Sequence, residues 1–119
     1  MPAHGKIDYI ELPAANFESV EQFYTQVFGW TFTSYGPNYH AFNDGNMDGG
    51  FYPSKQHSTT KNGAALVIFY SNDIDATLKA VVNAGGTLLQ EIFSFPGGRR
   101  FHFADPSNNE LAVWTDAGA

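Results

Sequence analysis

The segment RRFHFADPSNNELAVW, residues 99–114, gathers side chains that can bind and transform a small molecule. Arg100 carries a planar cation suited to carboxylates and phosphates, and His102 belongs to the residue type that exchanges protons near neutral pH. These two residues alternate with Phe101 and Phe103, which predicts a strand with one polar and one apolar face. The segment is therefore either a catalytic centre or the wall of a binding pocket.

Other candidate site residues are scattered along the chain. Glu11 is a candidate general base, and an ion pair with Arg100 or contact with solvent is the alternative. His40 follows an aromatic residue on a short strand, and its facing stays open. Three aromatic side chains can stack on a planar ligand, although packing in the core explains them equally well: Tyr9, Tyr70 and Trp114.

The composition excludes several classes of partner. The 119 residues carry a net charge of −6, and 43% are hydrophobic, which favours one folded domain over residues 1–119. The longest basic run is Arg99–Arg100, so nucleic acid and anionic membrane surfaces are disfavoured as partners. Cysteine is absent and no secretory signal is visible, which leads us to expect a cytoplasmic protein without disulfides or thiol chemistry.

Hydrophobic periodicity predicts the same order of elements twice, strand–helix–strand–strand–strand. In the first half, Asn16 caps the helix and Gly29 ends it, and the strands are 6–12, 31–35, 38–42 and 49–53. In the second half, Asp73 caps the helix, and the strands are 64–70, 87–92, 99–104 and 110–114. The two modules are residues 6–53 and 64–114, and the polar stretch 54–63 connects them. Because a helix covers one face of a sheet, the other face must meet the second module, a partner chain or a ligand.

Three segments together resemble the vicinal oxygen chelate superfamily, which includes glyoxalase I, extradiol dioxygenases and bleomycin-resistance proteins. ESVEQFYTQVFGWTF (18–32) is similar to the family's first helix, DIDATLKAVVNAGGTLL (73–89) to its second, and FADPSNNELAVW (103–114) to its last hairpin. Asn108 stands where glycine is usual, and asparagine tolerates the left-handed conformation. The resemblance implies an α+β fold of two βαβββ modules, with curved mixed sheets around a cavity, in a homodimer.

The resemblance also implies metal-ligand positions, which carry unsuitable residues in this chain. Metal-dependent members have mostly His, Glu or Gln at four inward-facing positions, and these fall here on Tyr9, Leu66, Ala112 and the stretch 50–52. Leucine and alanine cannot bind a divalent cation, and tyrosine is a poor ligand. We therefore expect no metal and no cofactor, which disfavours the metal-dependent glyoxalase and dioxygenase reactions.

The same positions fix which residues of three strands face the cavity, and on the strand 99–104 the expected packing of Phe101 and Phe103 beneath a helix leaves Arg100 and His102 facing it. Together with His40, the resulting ligand-binding candidates are Tyr9, Leu66, Ile68, Tyr70, Arg100 and Trp114, and the catalytic candidates are Glu11 and His102. The sequence thus favours a metal-independent protein that binds, and in one form sequesters, a small and partly aromatic molecule. The alternatives are a lyase or isomerase that uses acid–base residues, and a regulatory or partner-binding subunit.

Overall fold

The computed structural model describes residues 2–116 and contains two four-stranded mixed sheets, each packed against one helix. The first module consists of β1 (Tyr9–Ala14), α1 (Phe17–Phe28), β2 (Thr31–Ser34), β3 (His40–Asn43) and β4 (Asp48–Pro53). The second consists of β5 (Val67–Tyr70), α2 (Ile74–Asn83), β6 (Thr87–Phe95), β7 (Gly98–Ala104) and β8 (Glu110–Asp116). The strand orders are β1-β4-β3-β2 and β5-β8-β7-β6, in which the first pair of each sheet is parallel. The predicted α+β fold is confirmed, and neither helix in residues 2–116 could span a membrane.

The predicted helix ends are confirmed by their capping geometry. The Asn16 side chain accepts a hydrogen bond from the Ser19 N–H at 2.9 Å, and the Asp73 side chain accepts one from the Ala76 N–H at 3.2 Å. Gly29 ends α1 with φ 71°, a left-handed conformation that costs glycine little. Local sequence chemistry therefore sets both helix starts.

Several predicted strand boundaries are wrong. β1 does not stop before Pro13 but runs through it to Ala14, because β1 is an edge strand and needs backbone hydrogen bonds on one side only. β5 starts at Val67, so Leu66 precedes the strand. β6 is longer than predicted and reaches Phe95, with register irregularities on either side of Gln90.

The core lies where the helix-covered faces of the two modules meet. Tyr24 stacks on Trp30 with ring centroids 4.2 Å apart, and Trp30 stacks on Phe42 at 4.1 Å. Phe28 of α1 stacks on Phe69 of β5 at 4.1 Å and so joins the modules. Such pairs add about 0.5–1.5 kcal/mol each beyond area burial. Aromatic packing therefore holds the two modules together, and the aromatic residues of α1 belong to the core.

The turn between β7 and β8, residues 105–109, is organised around one buried carboxylate. Asp105 is 2% exposed, and its Oδ1 accepts hydrogen bonds from the backbone N–H groups of Ser107 at 2.8 Å and Asn109 at 3.0 Å. Its Oδ2 accepts from the Tyr24 hydroxyl at 2.8 Å and from the Asn109 side-chain amide at 3.1 Å. Asn108 has φ 63°, which confirms the left-handed conformation expected of it. Burial raises the pKa of Asp105, while these hydrogen bonds oppose that shift.

Asn109 extends the connections of this turn to other parts of the chain. It is fully buried, donates from its side-chain amide to the Pro13 carbonyl at 2.8 Å, and accepts from the Ser58 N–H at 3.0 Å. Ser107 accepts a further hydrogen bond from the Ala15 N–H at 3.1 Å. The turn therefore ties the second module to β1, to α1 and to the connector.

We expect Asp105→Asn to lower the free energy of unfolding by about 1–3 kcal/mol, measured by urea denaturation. The new amide group would face hydrogen-bond donors and leave at least one of them buried without an acceptor. Asp8→Asn, at an exposed site, is the matched control and should change stability by less than about 0.5 kcal/mol. Equal stability of the Asp105 variant and the wild type would show that this carboxylate does not hold the modules together.

Candidate functional site

Most of the predicted site residues lie on the sheet faces that point away from the helices. We call these surfaces the first open face, on the β1–β4 sheet, and the second open face, on the β5–β8 sheet. The first carries Tyr9 and Glu11 of β1, and the second carries Ile68, Tyr70, Arg100, His102, Ala112 and Trp114. Several large side chains on these faces stay partly exposed: Tyr9 at 43%, Ile68 at 43% and Tyr70 at 53%. Neither module of the same chain buries them.

A hollow of about 330 Å³ lies on the second open face and is lined by Ile68, Phe95, Arg100 and Trp114. Trp114 is central to it, because strand pairing sets Trp114 opposite both Tyr70 on β5 and Arg100 on β7. The Tyr70 and Trp114 rings meet edge to face at 5.3 Å. The sequence missed Phe95, because the extension of β6 beyond residue 92 depends on an irregular register that no local signal marks.

Arg100 is a half-buried cation held over aromatic rings. Its guanidinium carbon lies 5.4 Å from the centre of the Phe93 ring and 5.8 Å from that of Phe95. Its Nε is buried and has no hydrogen-bond partner. Within residues 2–116, no carboxylate oxygen lies within 4.0 Å of this guanidinium. The expected ion pair between Glu11 and Arg100 is therefore not formed within the chain.

His102 and Glu110 form a buried pair that the sequence predicted only in part. His102 is 7% exposed, and its Nδ1 lies 2.9 Å from Glu110 Oε2, whereas its Nε2 is buried without a partner. Glu110 Oε1 accepts two hydrogen bonds from Thr60, from the N–H at 2.9 Å and from the hydroxyl at 2.8 Å. Burial acts to raise the pKa of Glu110, but the hydrogen bonds from Thr60 and His102 outweigh it and lower this pKa. An ionised Glu110 only accepts, so it holds the imidazole with the proton on Nδ1.

A signal for Glu110 was present in the sequence. Glu110 lies two and four residues before Ala112 and Trp114 on β8. Strand alternation therefore already directs its side chain to the second open face. Thr60 carried no such signal, because it lies in a 3₁₀ turn, Thr60–Asn62, within the connector that has no periodicity. Its contact with Glu110 depends on how the connector folds back on β8.

Glu11 lies on the first open face in a hydrogen-bonded row of side chains. The Tyr9 and Tyr39 hydroxyl oxygens are 2.6 Å apart, and the Tyr39 hydroxyl donates to Glu11 Oε2 at 2.9 Å. Burial and these hydrogen bonds raise the pKa of Tyr39 well above its ordinary value. A Cβ at Gly50 would lie 1.9 Å from the Tyr39 hydroxyl, so only glycine there lets Tyr39 cross β4 to reach β1.

Glu11 also lines a cavity of about 610 Å³, and this cavity shares no lining residue with the hollow around Trp114. Most of its other lining residues come from the connector and its borders: Gln56, His57, Ser58, Asn62, Gly63 and Ala64. The structure therefore separates the two residues predicted to be catalytic. Glu11 belongs to the first open face and His102 to the second.

Two predicted ligand-binding residues lie outside both open faces. His40 is on the helix-covered face of the first sheet, where its Nδ1 bonds to Glu21 and its ring packs against Phe17 with centroids 4.2 Å apart. The sequence had left its facing open, and its contact with Phe17 of α1 places it on the helix-covered side of the sheet. Leu66 is half-buried before the start of β5 and does not line the hollow around Trp114.

The positions expected to hold a metal carry residues that do not suit one. Tyr9 and Ala112 lie on separate sheets, Gly50 has no side chain, and Leu66 is aliphatic. Within residues 2–116, no three His, Cys, Asp or Glu side chains come together in a way that would hold an ion. This donor set does not fit the metal of the metal-dependent members.

The chain is similar to known proteins over most of its length. It is 34% identical to a glyoxylase-like domain-containing protein of Didymella fabae, over 99% of both chains. It is 29% identical to the anthracycline biosynthesis protein DauV of Streptomyces sp. (strain C5), and that alignment covers 94% of this chain and 47% of DauV. The chain therefore spans about half the length of DauV.

A solved structure supports the same fold. The crystal structure of a glyoxalase/bleomycin resistance protein/dioxygenase family enzyme from Burkholderia phytofirmans PsJN matches with a TM-score of 0.77, over 92% of this chain and 99% of that chain. At 18% identity this likeness shows the fold alone. The family profile of the Glyoxalase/Bleomycin resistance protein/Dioxygenase superfamily matches residues 6–113, which include both helices and almost all of both sheets. The chain belongs to the Glyoxalase/Bleomycin resistance protein/Dioxygenase superfamily.

Proposed function

We propose that this chain binds, and can sequester, a small, partly aromatic molecule at the second open face without a metal ion. The observation that carries the proposal is the hollow around Trp114, where an indole, a phenyl ring and an isoleucine surround one cation. Binding sites for small molecules combine apolar walls with a few polar groups in this way, in volumes of roughly 300–1,000 Å³. At about 330 Å³, the hollow is at the lower end of that range and suits a small ligand.

The proposal includes a homodimer. Exposed apolar surface on both open faces supports it, with Tyr52 at 37% and Tyr9 at 43% on the first, and Ile68 and Tyr70 on the second. If the first open face of one chain covers the second open face of another, each hollow gains a wall that carries Glu11. A ligand would then be enclosed between two chains. A cytoplasmic location, expected from the cysteine-free sequence, belongs to the same proposal.

Metal independence and the homodimer can both be tested by native mass spectrometry of protein purified without chelator. Spectra would be recorded before and after addition of zinc, nickel, manganese or ferrous iron. We expect a dimer without stoichiometric uptake of any of these ions, because the side chains at the metal-ligand positions are poor donors. An ion held tightly at one per chain would contradict the metal-independent part of the proposal. A monomer at all concentrations would contradict the homodimer.

Trp114→Ala should weaken binding of small aromatic molecules at least about tenfold, which corresponds to roughly 1.4 kcal/mol. The substitution removes the ring that forms the centre of the hollow. Ligand-observed NMR with a library of single-ring aromatic acids, amides and phenols would measure the change in affinity. Tyr35→Ala removes an exposed aromatic side chain, 69% accessible, that does not line the hollow, and should leave binding unchanged. Molecules that bind the Trp114 variant as well as the wild type would place the site elsewhere.

The second candidate function is a lyase or isomerase that works by acid–base chemistry, and the His102–Glu110 pair favours it. His102 Nε2 has no hydrogen-bond partner, as a general base requires, but it is buried, so a substrate reaches it only after local opening of the second open face. In this function His102 moves the proton, and Glu110 acts as a positioning residue that holds the required tautomer. Glu11 takes part only if a second chain brings its first open face to this site.

Turnover distinguishes the two candidate functions. Molecules found to bind would be incubated with the protein and followed by NMR, which detects both cleavage and isomerisation. If the chain is an enzyme, His102→Ala should abolish conversion, and Glu110→Gln should reduce it while binding is kept. His57→Ala is the control, because this exposed histidine bonds to the Ser107 carbonyl outside the second open face. Absence of conversion by the wild type supports sequestration.

A further inference from the structure

Arg100 is the residue on the second open face whose chemistry the proposed function leaves unexplained. Its guanidinium is half-buried, its Nε has no acceptor, and no carboxylate within residues 2–116 neutralises it. Burying a charged donor without a partner is unfavourable, so folded proteins normally supply one. The accessible end of the guanidinium can therefore take an anionic partner from outside residues 2–116.

The surroundings of Arg100 fix which kind of partner fits. Phe93 and Phe95 stabilise the cation through their ring faces, but rings do not satisfy the N–H groups in the plane of the guanidinium. That fork of donors matches the two oxygens of a carboxylate. The chain as a whole carries a net charge of −6, so an anion is attracted here by this local group and not by the overall field.

Trp114 indicates the chemistry of the rest of the ligand. It lies directly opposite Arg100 in the β7–β8 pairing, and both residues line the same hollow together with Ile68 and Phe95. A molecule whose anionic group meets the guanidinium therefore has its body against the indole. The volume of about 330 Å³ suits a single ring with short substituents.

We infer that the molecule bound in this hollow is a small aromatic carboxylate, with its carboxylate paired to Arg100 and its ring on Trp114. This inference rests on the proposed binding function and adds the chemical class of the ligand. The same carboxylate chemistry has a second source, a Glu or Asp side chain from another copy of the chain. The experiment separates the two sources.

The test compares benzoate with benzamide, which has the same ring and nearly the same shape but no charge. Each is titrated at millimolar concentrations into the ¹⁵N-labelled full chain while the Trp114 indole N–H signal is followed. We expect benzoate to bind at least about tenfold more tightly than benzamide, as for an interaction with a charged group. Arg100→Gln should remove this preference, and Arg100→Lys, which keeps the charge but loses the fork, should retain part of it.

Arg99→Gln is the matched control, because it removes the same charge from the neighbouring position, which points to the other face of β7. It should keep the preference for benzoate. Equal binding of benzoate and benzamide, with the Trp114 signal responding to both, would overturn the carboxylate inference and leave the proposed function standing. No response to either probe would overturn both. A weaker dimer in Arg100→Gln with unchanged benzoate binding would show that a second copy supplies the carboxylate, and would also overturn the inference.

Discussion

The arrangement of this molecule depends on one buried carboxylate, that of Asp105. Its four hydrogen bonds join α1, the β7–β8 turn and Asn109, and Asn109 continues the network to the carbonyl of Pro13 and the connector. Glu110 follows Asn109 directly, so the turn also fixes where β8 begins and where Glu110 points. The pairing of Glu110 with His102, and the position of Trp114 four residues later, therefore depend on a turn that itself contacts no part of the hollow.

The core of the protein has a direct consequence for the location of the site. Because the helix-covered faces of the two modules meet each other, the open faces point outward and keep Tyr70 and Ile68 partly exposed. The first open face, which carries Glu11, and the second open face, which carries Arg100, therefore lie apart within one chain. In the proposed function, a ligand, a second copy of the chain, or both would complete the site.

The fold was predictable because its signals are local. Side-chain caps at Asn16 and Asp73, and a left-handed position at Asn108, each depend on a few neighbouring residues. Strand alternation placed Arg100 and His102 on the same face for the same reason. Contacts between distant segments were not predictable. The hydrogen bond between Thr60 and Glu110 forms only because the connector folds back on β8. The hydrogen bond between Tyr39 and Glu11 forms only because Gly50, which lies beneath the Tyr39 ring, has no side chain. The facing of His40 stayed open in the sequence because its strand is short and no family position fixed its phase.

The two tryptophans of the chain lie in opposite environments. Trp30 is 4% exposed and stacks between Tyr24 and Phe42 in the core, whereas Trp114 is half-buried in a hollow open to solvent. Their emission therefore reports on different events. Blue-shifted light from Trp30 is lost only when the core opens, while Trp114 remains within reach of a dissolved quencher such as acrylamide. Occupation of the hollow should consequently be visible, in the unmodified protein, as protection of one of two emitters while the other stays constant.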